Sequence, residues 1–253
     1  MDYELASVIS VSMKTIGNRL LAFQPHAIKT EGGIKNFVTS ADKMCYDLIV
    51  KMLKKARPEW QIVSEEDEDK LKGLEEEFWI IDPIDGTINY FHQDSTWGIS
   101  IALIKKQEVV AGFLCFPAFK KHFSCTKNHT IFSRTKLMRR GDNDLSQAQI
   151  WMDYAKESSE ISVELFAKLT RATACPQIRL CATYSLMQVA TGKIAGYVNP
   201  NPKLEDFAAA CLFVEKAGGM VTDFEGRPWS PFSKSIVATN GLLHNQLLEV
   251  VNS

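Results

Sequence analysis

The chain has no excess of charge of either sign: 29 Lys and Arg stand against 30 Asp and Glu, a formal net charge of -1. Without a long-range field, neither a nucleic acid polymer nor an anionic membrane surface is expected as a partner, and any phosphate bound must be held by local contacts. No secretory leader is expected either, because MDYELASVIS carries acids where such a leader carries bases. No uncharged apolar run approaches the roughly 20 residues of a membrane span. The expectation is a cytoplasmic protein. The six cysteines, Cys45, Cys115, Cys125, Cys175, Cys181 and Cys211, include no C-x-x-C pair. They read as reduced core thiols, not as zinc ligands or disulfides. Internal repeats and low-complexity tracts are absent.

What is present is a chain of 253 residues, 45% hydrophobic, enough for a substantial core in one large domain or two halves. The character of the segments changes near residue 133, giving an expected N-terminal α+β half (1–133) and a C-terminal α/β half (134–253). In the first half, Leu5, Val8, Ile9, Val11, Met13, Ile16 and Leu20 follow helical spacing. SADKMCYDLIVKMLKKA predicts a second amphipathic helix, opened by Ser40 and closed by a basic last turn. QIVSEE and FWIID predict short strands, and WGISIALI, EVVAGFLCF and KHFSCT an antiparallel meander. The polar, basic stretch SRTKLMRRGDNDLSQ reads as an exposed crossover. Beyond it strands and helices alternate: QIWMD, a helix near 159 to 170, QIRL, a helix near 182 to 192, AGYV, the helix LEDFAAACLFVEKAG, then GMVTDF and SIVAT.

The acids gather at strand ends: Glu65 and Glu66 end one predicted strand, Asp82 and Asp85 the next. Pro83 fixes its own φ and biases Asp82 toward extended backbone, which predicts a sharp turn between the two aspartates. Carboxylates converging without bases repel one another unless a divalent cation neutralises them. Oxygen-only ligands favour Mg²⁺ over zinc, and Mg²⁺ sites combine a few carboxylates with waters and substrate phosphate. Gly86 and Thr87 add a glycine turn feeding a helical segment, whose backbone N–H groups suit a phosphate. Taken alone, DPIDGT is equally an ordinary Asp-Gly turn capped by Thr87. Asp206, alone, reads more readily as an acid that caps its helix and is favoured by the helix dipole than as a ligand. The small residues after it would let that helix approach a sheet closely, and Gly218-Gly219 would end it.

SEE at 64 to 66, WIIDPIDGTINYFH at 79 to 92 and LEDFAAACLFVEKAGG at 204 to 219 resemble, in order and spacing, the three signature regions of the inositol monophosphatase family. KNFVTSAD at 35 to 42 and SIVATN at 235 to 240 extend the resemblance over most of the chain. It implies a layered αβαβα sandwich, a Mg²⁺-dependent and Li⁺-sensitive phosphatase for inositol and related sugar or nucleotide phosphates, and a homodimer. Carried over by position, it implies Glu65, Asp82 and the carbonyl of Ile84 as ligands of one metal, and Asp82, Asp85 and Asp206 of a second. Glu65 can also hold a third ion. Thr87 and Asp42 resemble the pair that orients the attacking water, with Glu66 nearby and the backbone of Gly86 and Thr87 on the phosphate. The chemistry agrees: phosphate monoesters hydrolyse very slowly, and two ions about 3.5 to 4 Å apart supply an activated water, charge neutralisation and a stabilised leaving group.

The chain departs from the family pattern in several places. Ser64 stands for a common Gly, and Glu205 for a Trp. Leu180-Cys181-Ala182 stands for the Gly-Ser/Thr-Ala segment that lines the sugar pocket, and Asn199 for a glutamate that binds inositol hydroxyls. Asn36 replaces an aspartate at the third ion, and Lys29 or Lys35 takes the place of a lysine near the phosphate. A bulkier, less polar wall cannot hold a polyol in the same way, so Cys181, Ala182, Asn199 and Asp206 are expected to set the substrate. Inositol monophosphate is the family default. Fructose 1,6-bisphosphate, another sugar phosphate, 3'-phosphoadenosine 5'-phosphate and NADP compete with it, as does a catalytically silent protein that binds a phosphorylated metabolite. His92, Trp79 and Trp97 read as structural, and the KLMRR stretch as exposed.

Overall fold

A computed structural model of the chain describes residues 3–24, 27–28, 38–64, 77–127, 141–154 and 159–253. It divides into two compact units, Met1–Arg134 and Thr135–Ser253. Among the described residues no helix is long and apolar enough to cross a membrane.

The first unit contains α1 (Tyr3–Leu21), β1 (Ala27–Ile28), β2 (Val38–Thr39), α2 (Ser40–Ala56), β3 (Gln61–Ser64), β4 (Glu77–Asp85), α3 (Thr87–Phe91), β5 (Gly98–Lys105), β6 (Glu108–Phe116) and β7 (Lys121–Thr126). β1 and β2 form a short antiparallel pair, and the main sheet has the order β3-β4-β5-β6-β7. β5, β6 and β7 are the expected antiparallel meander, while β3 runs parallel to β4. Helices α1 and α2 cover one face of this sheet. Leu5, Ile9, Met13, Ile16 and Leu20 of α1, with Ile49 and Leu53 of α2, join Trp79, Ile81, Ile99, Ile101 and Phe113 in one core. Val8 and Val11 share the helical spacing but lie off the buried stripe, 49% and 63% exposed. Every residue of β4 after Glu77 is buried, as are all of β5 but its last. That is why both read as nearly continuous apolar runs instead of alternating ones. Trp79 and Trp97 are core residues, as their surroundings in the sequence suggest.

The second unit contains β8 (Ile150–Met152), α4 (Ser159–Ala172), β9 (Gln177–Ile178), α5 (Ala182–Ala190), β10 (Gly196–Asn199), α6 (Leu204–Lys216), β11 (Met220–Thr222), β12 (Ile236–Thr239) and α7 (His244–Asn252). Its sheet has the order β11-β12-β10-β8-β9, with β10 parallel to β8 and antiparallel to β12. Alternation along the strands assigns the two faces. Ile150, Met152, Val198 and Val237 share a core with Leu165 and Leu169 of α4 and Leu247 and Val251 of α7. Trp151 points the other way and stacks on Tyr184 of α5, which packs along α6. The fold class is thus the layered α/β one expected: a sheet with one helical layer in the first unit, and a sheet between two helical layers in the second.

Three local expectations change. β9 is shorter than QIRL because Leu180 adopts φ +53°, which is not extended backbone. Helix α7 does not appear in the strand-and-helix alternation read from the sequence. Cys175 is exposed, whereas the other five free cysteines are buried.

Candidate active site

The expected sharp turn between Asp82 and Asp85 is instead a β-bulge within β4. Asp82 pairs with Ser100 of β5 and Asp85 with Gly98, so three steps along β4 face two along β5. In a regular strand, residues three apart point to opposite faces. One extra residue cancels that alternation and turns both carboxylates to one side. Asp82 and Asp85 each offer an oxygen within 4.8 Å of the other, although they are only 2% and 7% exposed. Pro83 fits the bulge because it has no N–H to give to the ladder. The Ile84 N–H donates to Asp82 Oδ1 at 2.9 Å and fixes that carboxylate.

After Asp85 the chain turns at Gly86, which adopts φ 84°, ψ 40° and precedes α3. A side chain in this left-handed conformation would cost roughly 1–2 kcal/mol, so glycine is the natural residue. The Gly86 carbonyl accepts from the Tyr90 N–H at 2.9 Å, closing the first turn of α3. Tyr90 then ties α3 to the end of α1 by donating its hydroxyl to the Leu20 carbonyl at 2.8 Å. Thr87 Oγ1 donates to the Ile84 carbonyl at 2.8 Å and lies 3.2 Å from Asp42 Oδ1. One hydroxyl proton faces two acceptors, so these three groups form a single switchable unit.

Asp42 comes from the first turn of α2, whose N-cap is Thr39 and not Ser40. The Thr39 N–H and Oγ1 donate to Asp42 Oδ2 at 2.8 and 2.6 Å, a capping box that leaves Oδ1 for Thr87. Burial raises the Asp42 pKa, and the hydrogen bonds from Thr39 and Thr87 work against that rise. One turn further along α2, the buried Cys45 thiol donates to the Pro83 carbonyl at 3.1 Å. Neither Thr39 nor Cys45 was singled out from the sequence. The T-x-x-D spacing of Thr39 and Asp42 is a readable capping signal, whereas nothing in the spacing of Cys45 pointed to Pro83.

In the second unit, Asp206 lies in the first turn of α6, half-buried, with its N–H donating to the Lys203 carbonyl at 3.0 Å. Ala208, Ala209 and Ala210 behind it are fully buried. The helix ends where Gly218 takes φ +83°, and a Cβ on Gly219 would lie 2.5 Å from the Thr239 carbonyl oxygen. Small residues and glycines therefore do set a close approach of α6 to β12. Cys181 and Ala182 are buried at the start of α5, whose Ser185 hydroxyl donates to the Cys181 carbonyl at 2.9 Å. Asn199 gives a proton from Nδ2 to the Tyr197 hydroxyl at 3.0 Å and accepts from the Asn201 N–H at 2.9 Å. Tyr197 in turn donates to Asp153 Oδ2 at 2.7 Å. His92 follows α3, with its ring edge-on to Phe91. Glu65, Glu66, Asn36, Lys29, Lys35 and the 136–140 stretch lie outside the described residues.

The local geometry thus offers buried carboxylates, a backbone carbonyl and a carboxylate-paired hydroxyl within six residues of one strand end. A profile of the Inositol monophosphatase family matches residues 3–253. The chain belongs to the inositol monophosphatase family. Its relatives there carry different substrate names. A fructose-1,6-bisphosphatase/inositol-1-monophosphatase of Thermotoga maritima is 29% identical over 228 residues, covering 89% of this chain and 86% of that protein. A histidinol-phosphatase of Streptomyces coelicolor is 31% identical over 230 residues, covering 85% and 84%. Among solved structures, an IMPase of Thermotoga maritima superposes with a TM-score of 0.87 at 27% identity, covering 100% of this chain and 97% of that one. Membership of the inositol monophosphatase family places the chain in the phosphatase class of hydrolases.

The donor set of the first unit suits a hard divalent cation. Asp82 and Asp85 supply only oxygen, are buried and approach each other closely, an arrangement that a 2+ ion relieves and that a soft metal would not select.

Proposed function

We propose that the chain hydrolyses a small phosphate monoester, inositol monophosphate or a related sugar phosphate, with Mg²⁺ as cofactor. The observation that carries this reading is the bulge that turns Asp82 and Asp85 to one side, beside a threonine paired with Asp42. In it, Asp82, Asp85, the Ile84 carbonyl, Asp206 and Glu65 hold the cations. The parallel pairing of Ser64 with Ile81 supports Glu65 as a member, since the chain leaves β3 level with the residue before Asp82. Bound Mg²⁺ supplies positive charge to the phosphoryl oxygens and lowers the pKa of water.

The remaining work falls to side chains and backbone. Thr87 Oγ1 orients the attacking water, and Asp42 orients Thr87. Asp42 is rigid in this role because its other oxygen is fixed by two bonds from Thr39. Glu66 assists proton removal, and the N–H groups of Gly86 and Thr87 face the phosphate. Cys181, Ala182 and Asn199 shape the wall beside the leaving group. Both ends of the Asn199 amide have partners within its own unit, which supports a wall that recognises fewer substrate hydroxyls than a carboxylate would. The substrate is a free phosphorylated metabolite and the assembly a homodimer, which light scattering tests.

The decisive experiment measures phosphate release from inositol 1-phosphate, fructose 1,6-bisphosphate, histidinol phosphate, NADP and 3'-phosphoadenosine 5'-phosphate. Each is run with Mg²⁺, with a chelator, and with the Asp85→Asn variant. Mg²⁺-dependent release that the variant loses supports the proposal. No turnover of any compound by the folded wild-type protein refutes it and favours a silent binding protein.

A further inference from the structure

We propose that Cys45 is a positioning residue for the cation site: its thiol holds the Pro83 carbonyl and so keeps the bulge that carries Asp82 and Asp85 in shape. The inference rests on the metal-dependent reading above. In the β4–β5 ladder, Asp82 and Asp85 have partners, but Pro83 and Ile84 between them have none. Pro83 is nevertheless buried. A buried carbonyl outside the ladder needs a donor from elsewhere, and the donor is Cys45 Sγ at 3.1 Å. The thiol is itself fully buried.

The same helix reaches the other end of the segment. Asp42 and Cys45 are three residues apart on α2 and therefore share a face. Asp42 takes hold of Thr87 and Cys45 of Pro83. The stretch from Pro83 to Thr87 is thus fixed at both ends by one rigid element, with the Ile84 carbonyl and Asp85 between the two holds. A methyl-bearing side chain of similar size could fill the space of Cys45 but could not donate. Without the donor, the Pro83–Ile84 peptide keeps only the bond from its Ile84 N–H to Asp82 Oδ1, and the loosened hold shifts Asp82 and Ile84 on either side of it.

The test compares Cys45→Ser, which keeps a donor, with Cys45→Val and Cys45→Ala, which do not. Mn²⁺ is the probe, and its dissociation constant is measured by calorimetry without substrate, alongside the melting temperature of the metal-free protein. The expected result is Mn²⁺ affinity within about twofold of wild type for serine, and a loss of roughly fivefold to tenfold for valine and alanine, the scale of one hydrogen bond. Alanine fits inside the wild-type space and serves if valine does not fold. Affinity unchanged in the donor-free variants overturns the inference and leaves the functional reading standing. So does an equal loss in serine and alanine, because volume would then be what matters. A folded wild-type protein that binds no Mn²⁺ overturns both.

Discussion

Acid sensitivity of the second unit follows from one histidine. His244 opens α7 and is 2% exposed. Its Nδ1 lies 3.0 Å from Thr239 Oγ1 of β12, and its Nε2 2.9 Å from Thr222 Oγ1 of β11. The Thr222 hydroxyl gives its proton to the Asp223 carbonyl at 2.8 Å, so toward the ring it can only accept. Nε2 therefore carries the proton, and Nδ1 accepts from Thr239, whose oxygen takes the Gly241 N–H at 3.0 Å. Hydrogen bonds thus run in one direction through a neutral ring. Protonating Nδ1 would set two donors against each other in a buried place, and burial lowers the His244 pKa from 6.5 to about 4. The folded state favours the neutral ring, so this contribution is complete above pH 6.5 and is lost as pH falls from there toward 4. At 1.36 kcal/mol per unit, and with an allowance for screening, the loss is about 2–3 kcal/mol by pH 4. NMR titration of labelled histidines should show one ring that does not titrate above pH 5. Urea unfolding at pH 7.5 and 4.5 should show that His244→Gln loses less stability on acidification than wild type, by about 2 kcal/mol. A His244 ring titrating near 6.5, or equal acid losses in the two proteins, would refute the reasoning.

Other outcomes are as specific. Asp85→Asn and Asp206→Asn each remove a charge at constant volume, so melting temperature should stay within a few degrees while phosphate release falls by roughly a hundredfold or more. Either folded variant retaining full turnover would count against the cation site. Thr39→Ala removes the cap of α2 and one of the bonds on Asp42, with an expected stability loss of about 1 kcal/mol by denaturant titration. It should also lower kcat more than it changes KM. Gly219→Ala places a methyl 2.5 Å from the Thr239 carbonyl and 2.7 Å from Val214 Cγ1. Neither the backbone nor the packed helix can yield cheaply, so urea midpoints should report a loss of about 2–3 kcal/mol.

Much of the fold could be read from local patterns, because the strands flanking the site are long and apolar, α2 is amphipathic, and α6 is an apolar run buried nearly all round. The acids of DPID are visible too, but their geometry is not. Pro83 and the three-residue spacing suggested a turn, whereas the pairing of Asp85 with Gly98 keeps the segment in the sheet as a bulge. Register between strands is set by tertiary pairing and leaves little trace in one strand's own residues. Helix α7 escaped notice because one of its three buried positions is His244, a polar letter in an apolar stripe. Thr222 of β11 and Thr239 of β12 make that residue acceptable inside. Leu180 gave no hint of its positive φ, and so the edge strand looked longer than it is. The link from Cys45 to Pro83 spans 38 positions and is carried by packing alone.

Asp42 has two employers. One oxygen secures the opening of a helix and the other meets the Thr87 hydroxyl. Under the proposed function, heat tolerance and turnover are coupled at this single carboxylate. A laboratory selection for hardier variants should find the start of α2 closed to change, and should place its improvements on the outward slopes of α1, where Val8 and Val11 answer to neither demand.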